Sequence, residues 1–176
     1  MVVALVCFSG GKAYADYSFN FLANDGTYSV EGTLITPSDG NGPFIVSGGS
    51  VTGTGTDNLN IIYSLVPTVP GGSIRPFGAT DLIFDNQLSP GSPTVLTGNG
   101  LVFEAQNGLS YINIWGNSPT SYTLFQLGYN TETQSEIYGP FVNGAVTAAP
   151  VPIPATAWML CSGLFGLAGI RRRFKK

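Results

Sequence analysis

From Tyr17 onward the chain alternates apolar and polar residues in short runs, and each run stops at a cluster of Gly, Asn, Asp, Ser or Pro. A period of two places successive side chains on opposite faces of an extended strand, and those breakers supply the backbone conformations that tight turns need. Tyr17, Phe19, Phe21 and Ala23 alternate with Ser18, Asn20 and Leu22; Asn24-Asp25-Gly26 turns the chain; Tyr28, Val30 and Leu34 open a second run with Gly32 between them. That is a hairpin signature. Ser38-Asp39-Gly40-Asn41-Gly42-Pro43 is the next turn, and 44–54 offers a strand pair broken at Gly48-Gly49. Further strands are predicted over 59–66, 79–84, 100–105, 109–115, 122–129 and 141–147. About nine or ten short strands at this spacing predict an all-β domain, an antiparallel two-sheet β-sandwich. Composition agrees. Only 10% of residues are charged, against about 25% in an ordinary soluble domain, which leaves little Glu, Lys or Arg to cover exposed helix faces.

The charges divide the 176 residues into three parts. Lys12 stands near the start, Arg171, Arg172, Arg173, Lys175 and Lys176 close the chain, and Arg75 is the only base between 16 and 150. All ten carboxylates lie in that interval, so the central region carries a net −9, one base against ten acids, while the end carries +5. A domain with one positive side chain cannot neutralise a row of phosphates, which argues against nucleic acid as a partner. An acidic, self-repelling surface suits an exported protein. The two cysteines, Cys7 and Cys161, fall one in each terminal apolar segment, so no disulfide framework is expected in the domain between them.

Residues 1–15 read as a signal peptide, N-terminally incomplete because no basic leader precedes the apolar run MVVALVCF. Ala13 and Ala15 form the small-x-small pattern before Asp16 that places cleavage after Ala15. The alternative is that residues 2–8 form a first strand.

The last segment, 148–176, has three parts with separate physical reasons. Pro152 and Pro154 around Ile153 hold the backbone extended, because proline fixes its own φ and pushes its predecessor out of the helical region. From 155 to 170 there is no charge. Trp158 suits a bilayer interface, and Leu160, Leu164, Phe165, Leu167 and Ile170 make this a predicted short transmembrane helix of about 24 Å. That length falls short of a hydrocarbon core of roughly 30 Å, and the flanking bases can snorkel to close the gap. Arg171, Arg172, Arg173, Lys175 and Lys176 then stay on the cytoplasmic side, which puts the β domain, 16–147, outside. A plain C-terminal anchor without processing fits the same three parts.

Val151-Pro152-Ile153-Pro154-Ala155, followed by Trp158, by Ser162-Gly163-Leu164-Phe165-Gly166-Leu167-Ala168-Gly169 and by Arg171-Arg172-Arg173, resembles the PEP-CTERM sorting signal in its Val-Pro-x-Pro form. Ile153 stands where the name-giving pattern has Glu. The resemblance covers 26 of 176 residues. It implies an exosortase, an integral membrane cysteine transpeptidase-like enzyme, as processing partner, with inner-membrane anchoring before processing. It also implies a cell-surface or extracellular destination in bacteria that make exopolysaccharide.

Catalytic chemistry finds little footing. The sequence has no His, so Ser-His-Asp and Cys-His arrangements and His metal sites are excluded, and it has no phosphate-binding or dinucleotide fingerprint. Paired carboxylates suffice for glycoside hydrolysis, but acids scattered over an acidic domain read as solvation. The expectation is a non-enzymatic protein without a cofactor. Asp39-Gly40-Asn41, Asp57-Asn58, Asp81 and Asp85-Asn86 place oxygen donors in turns, which suits Ca²⁺ and equally suits turn residues that bond their own backbone. Arg75, in the loop 67–78, reads as a surface residue or a partner for one of the acids, with an acidic sugar or sulfate as the alternative. Residues 140–154 read as the last strand and a semi-extended spacer. Two function classes follow: an exported matrix or biofilm constituent associated with exopolysaccharide, or a carbohydrate-binding, Ca²⁺-assisted adhesive module. The module would use aromatics such as Tyr111, Trp115, Tyr122 and Tyr129, which at strand spacing also serve as core or sheet face.

Overall fold

The computed structural model describes residues 14–37, 43–54, 60–69 and 72–151. The signal segment through Ala13, the motif residues 152–154, the predicted transmembrane helix and the basic cluster lie outside the described residues. So do Asp39-Gly40-Asn41 and Asp57-Asn58. In chain order the strands are β1 (Tyr14–Ala23), β2 (Ser29–Pro37), β3 (Phe44–Ile45), β4 (Gly48–Thr54), β5 (Asn60–Leu65) and β6 (Ser73–Ile74). They continue with β7 (Leu82–Ile83), β8 (Gln87–Leu88), β9 (Leu101–Ala105), β10 (Ser110–Ser118), β11 (Ser121–Asn130) and β12 (Ser135–Pro150). No helix occurs among the described residues.

The expected two-sheet sandwich is corrected by the topology: β1, β2, β4, β5, β9, β10, β11 and β12 form one closed barrel of eight strands. Every neighbouring pair is antiparallel, each long strand pairs with the next along the chain, and β12 returns to β1 with Tyr17 opposite Pro150 and Ala23 opposite Gly144. Alternation along a strand says only that one face is buried, and that face can look at a second sheet or at the far wall of its own. Closure depends on the pairing of first and last strands, which alternation does not encode. Bends help it along: the register slips between Gly116 and Ser118 and again where β11 meets β12, and such slips sharpen curl.

The interior is filled. Phe19, Phe21, Leu34, Val51, Tyr63, Phe103, Ile114, Tyr122 and Leu124 are among the buried side chains of one cluster, so the barrel holds a packed core and no channel. The outward residues of β1, β2 and β4 include Ser18, Asn20, Glu31, Thr33 and Ser50 beside exposed Leu22 and Ile35, a mixed polar and apolar wall. Val46 just after β3, Leu88 of β8 and Leu96 beyond it join the interior cluster, where Phe44 pairs with Leu88 and its ring lies 5.9 Å from that of Tyr17. They close the barrel end from which the chain leaves β12.

The long connection between β5 and β9 also builds a second core outside the barrel. Val66, Leu82 and Phe84 pack with Val102, Tyr111, Phe125 and Leu127, which project outward from β9, β10 and β11. Buried Asn86, at φ 54, donates its Nδ2 to the carbonyl of Val66 within the connection, and Asn113 of β10 donates to that of Ile83, stitching the connection to the barrel. The ladder runs past 147 to Pro150, so the segment read as last strand plus spacer is strand as far as Pro150.

Candidate functional site

β12 outruns β1. Its residues from Gly144 to Pro150 pair with β1, and Asn143 O accepts the N–H of Asn24 in the β1–β2 turn at 3.0 Å, whereas Ser135–Val142 pair with β11 alone and leave their other edge open. Between Tyr138, opposite Leu127, and Phe141, opposite Phe125, β12 takes one residue more than β11. In a regular strand residues three apart face opposite ways. The extra residue turns both Tyr138 and Phe141 outward, where their rings meet that of Phe125 from β11.

An aromatic strip results across the outer face of β10–β12. The Phe125 and Phe141 rings stack at 4.7 Å and 16°, Trp115 stands edge-on to Phe141 at 6.3 Å and 78°, and Tyr138 tilts against Phe125 at 6.4 Å. Phe125 is 6% exposed, but Phe141 is 69% and Tyr138 62% exposed, the largest values among the exposed apolar side chains. Beside the strip runs a chain of neutral polar groups. Trp115 Nε1 donates to Asn117 Oδ1 at 3.1 Å, Asn117 Nδ2 to Thr123 Oγ1 at 2.7 Å, and Thr123 Oγ1 to Asn143 Oδ1 at 2.9 Å. Phe141 also borders a groove of about 600 Å³, lined by Asn24, Asp25, Thr27, Tyr28, Pro140, Val142 and Asn143.

The far end of the strip is clamped by Glu136. Its Oε1 accepts the backbone N–H groups of Ala79 and Thr80 at 3.1 Å, and its Oε2 accepts the hydroxyls of Thr80 and, at 2.8 Å, Tyr138. These donors, the Thr80 hydroxyl first, hold the carboxyl below the usual glutamate range against a smaller opposing effect of burial. In the groove, the Thr27 hydroxyl and then its N–H likewise lower Asp25. Arg75 is spent on Asp81: Nε and Nη2 donate to the two carboxylate oxygens at 2.6 and 2.9 Å, lowering the acid and raising the guanidinium.

Of the aromatics singled out from sequence, only Trp115 borders the strip. Tyr122 is 2% exposed inside the barrel, where its hydroxyl accepts from Val95 N at 2.8 Å. Tyr111 lies buried under the β5–β9 connection with its hydroxyl donating to Glu104 Oε1 at 2.6 Å, and burial first, then Glu104, pushes the phenol far up. Tyr129 stacks on Phe77 at 4.9 Å. Sequence reasoning missed Tyr138 and Phe141 as a pair. Pro140 between them, in a strand that otherwise reads as continuous, was the available signal of an irregularity.

Of the calcium candidates, Asp81 belongs to Arg75, and Asp85 accepts the Thr97 hydroxyl and the Gln87 N–H. No group of three or more Cys, Asp or Glu side chains suited to a metal occurs among the described residues. Of the two signal-cleavage positions, Ala15 falls in β1 opposite Thr36. Val151 ends the described chain, with its N–H donating to Asp16 O at 2.8 Å. No family model, curated protein or solved structure matches the chain.

Proposed function

We propose that this chain is a non-enzymatic surface protein, exported as a barrel domain, processed by an exosortase at its C-terminal tail, and retained with exopolysaccharide in the extracellular or biofilm matrix. The observation that carries the reading is that the described barrel ladder reaches the motif: Val151, the first residue of Val151-Pro152-Ile153-Pro154, donates its N–H to Asp16 O, so a cut after Val151 leaves every described bond of the barrel in place. The expected signal cleavage after Ala15 falls at the same point of the β1–β12 seam, on the other strand. Among the described residues, removing both ends costs the ladder the Tyr14 and Ala15 pairings with Pro37 and Thr36. A domain with both processing points at one end, and turns at the other, presents its outer faces freely once released.

Intact-mass spectrometry in an exosortase-bearing host tests this. Wild-type mature protein is expected to lack the apolar segment and the Arg cluster. Pro152→Ala with Pro154→Ala is expected to leave a full-length, membrane-bound form, since extended presentation is lost while the apolar anchor stays. Neutralising the five terminal bases should instead lower correct topology. Retention of the tail by both wild type and the double-Pro variant would leave simple anchoring as the answer.

A further inference from the structure

We propose that the outer face built by Trp115, Tyr138 and Phe141, with the groove beside Phe141, is a binding site for a neutral glycan chain. The glycan is identified with the exopolysaccharide of the surface-protein reading, on which its biological source rests; the site itself follows from the barrel.

The exposure of Phe141 and Tyr138 is not a by-product of core packing. The outward cluster that shields Phe125 and Leu127 is complete without the outer faces of these two rings, which remain largely open. Solvent-facing aromatics set side by side with fixed neutral amides are the chemistry that a pyranose needs. Its C–H face packs on an aromatic ring and its equatorial hydroxyls exchange hydrogen bonds with Asn and Thr at the border. Here the hydrogen-bond chain from Trp115 to Asn143 fixes Asn143 through its carbonyl oxygen, which leaves its exposed NH₂ group to donate to a ligand.

Charge narrows the ligand. The face carries Asp25 in the groove and Glu136 at the far end, both held ionised by hydrogen bonds, and the single base among the described residues is engaged by Asp81. A uronic-acid, sulfated or phosphorylated chain would meet carboxylates and no cation. A neutral chain meets aromatic faces, amides and hydroxyls.

The open edge of β12 offers a different occupant, an added strand from a second copy. It is poorly fitted for one. Pro140 removes a backbone donor in the middle of the open stretch, and the extra residue beside it bends the edge, two features that oppose strand addition.

The test is titration calorimetry on the full chain in mild detergent, with cellohexaose and laminarihexaose as neutral probes and an alginate hexamer as the anionic one. At least one neutral hexamer is expected to bind and alginate is not. Phe141→Ala is expected to weaken binding by about tenfold or more, with a Tm lowered by the lost stacking on Phe125, and Phe141→Tyr to keep both. Asn143→Ala, on an exposed side chain, is expected to weaken it as well, and it decides the matter if Phe141→Ala fails to fold. The site is overturned if neither neutral hexamer binds, if alginate binds as tightly, or if the variants bind like wild type. It is also overturned if sedimentation finds a dimer that Phe141→Ala dissociates, since the strip is then a contact between copies. Tail processing is read by mass and glycan binding by heat, so failure of one leaves the other standing.

Discussion

Glu136 ties the β5–β9 connection to β12 through three donors from Ala79 and Thr80, and its depressed pKa gives that tie a pH dependence of definite sign. The unfolded chain takes up the proton more readily than the folded one, so the stabilisation is complete above the ordinary glutamate range. It is lost as pH falls through the depressed folded-state value. Hydrogen exchange is expected to show the Ala79 and Thr80 amides losing protection, relative to a buried amide such as that of Phe103, as pH is lowered below the ordinary glutamate range, and Glu136→Ala to abolish the difference. Equal protection across that range would remove Glu136 from the clamp. The interior tolerates loss less well. Phe21 is fully buried, and Phe21→Ala is expected to cost about 3–5 kcal/mol in urea unfolding. Its place inside was legible: Phe19 and Phe21 alternate with Ser18 and Asn20, and a chain with a single buried face has one place for them. Trp115 was not legible in the same way, because an aromatic at strand spacing reads alike whether it points into the barrel or onto its outer wall.

At the scale of strands, most positions and the hairpin order could be read from turn residues, since Asn24-Asp25-Gly26 and the breakers after it mark strand ends by their own backbone chemistry. The runs 44–54 and 79–84 took in β3 and β7, but β6 and β8 could not be read, being two residues each and held by what they cover. Nor could the one-residue slip in β12, which depends on its pairing with β11 and which brings Tyr138 and Phe141 onto one face. The site was therefore sought on Tyr111, Trp115, Tyr122 and Tyr129, of which the barrel keeps only Trp115 near the exposed strip. The seam between β12 and β1 shows how tightly the closing pair is set. A Cβ at Gly144 would collide with the carbonyl oxygen of Leu22 and with the Phe21 ring. Gly144→Ala is expected to destabilise the barrel by roughly 1–3 kcal/mol, as overpacking of a filled site does, and Phe21→Leu in the same chain to recover part of that loss. Additive losses would mean that the two positions do not share the strain.

For the molecule as a whole, closure makes the last residues of β12 part of the fold, although by sequence they belong with the tail. The predicted domain stopped at Thr147 because Ala148, Ala149 and Pro150 have no alternation and lead into the Pro motif. In the barrel they stand opposite Phe19, Ser18 and Tyr17, the Ser18 hydroxyl donates to Ala149 O at 3.2 Å, and Ala148 packs against the interior cluster. A sandwich could lose such a terminus and keep both sheets, but a barrel that loses it exposes an edge of β1 and opens the core around Phe19. Two chains beginning at Asp16 separate these cases, one ending at Val151 and the other at Thr147. The longer is expected to unfold in urea with a single transition, and the shorter at a lower midpoint, weaker by on the order of 2–4 kcal/mol for the lost pairings. The amides of β1 are expected to lose exchange protection first in the shorter chain. Coincident midpoints would mean that the β1–β12 seam contributes nothing beyond Thr147, and that a processing cut could fall several residues earlier than the motif without harm to the domain.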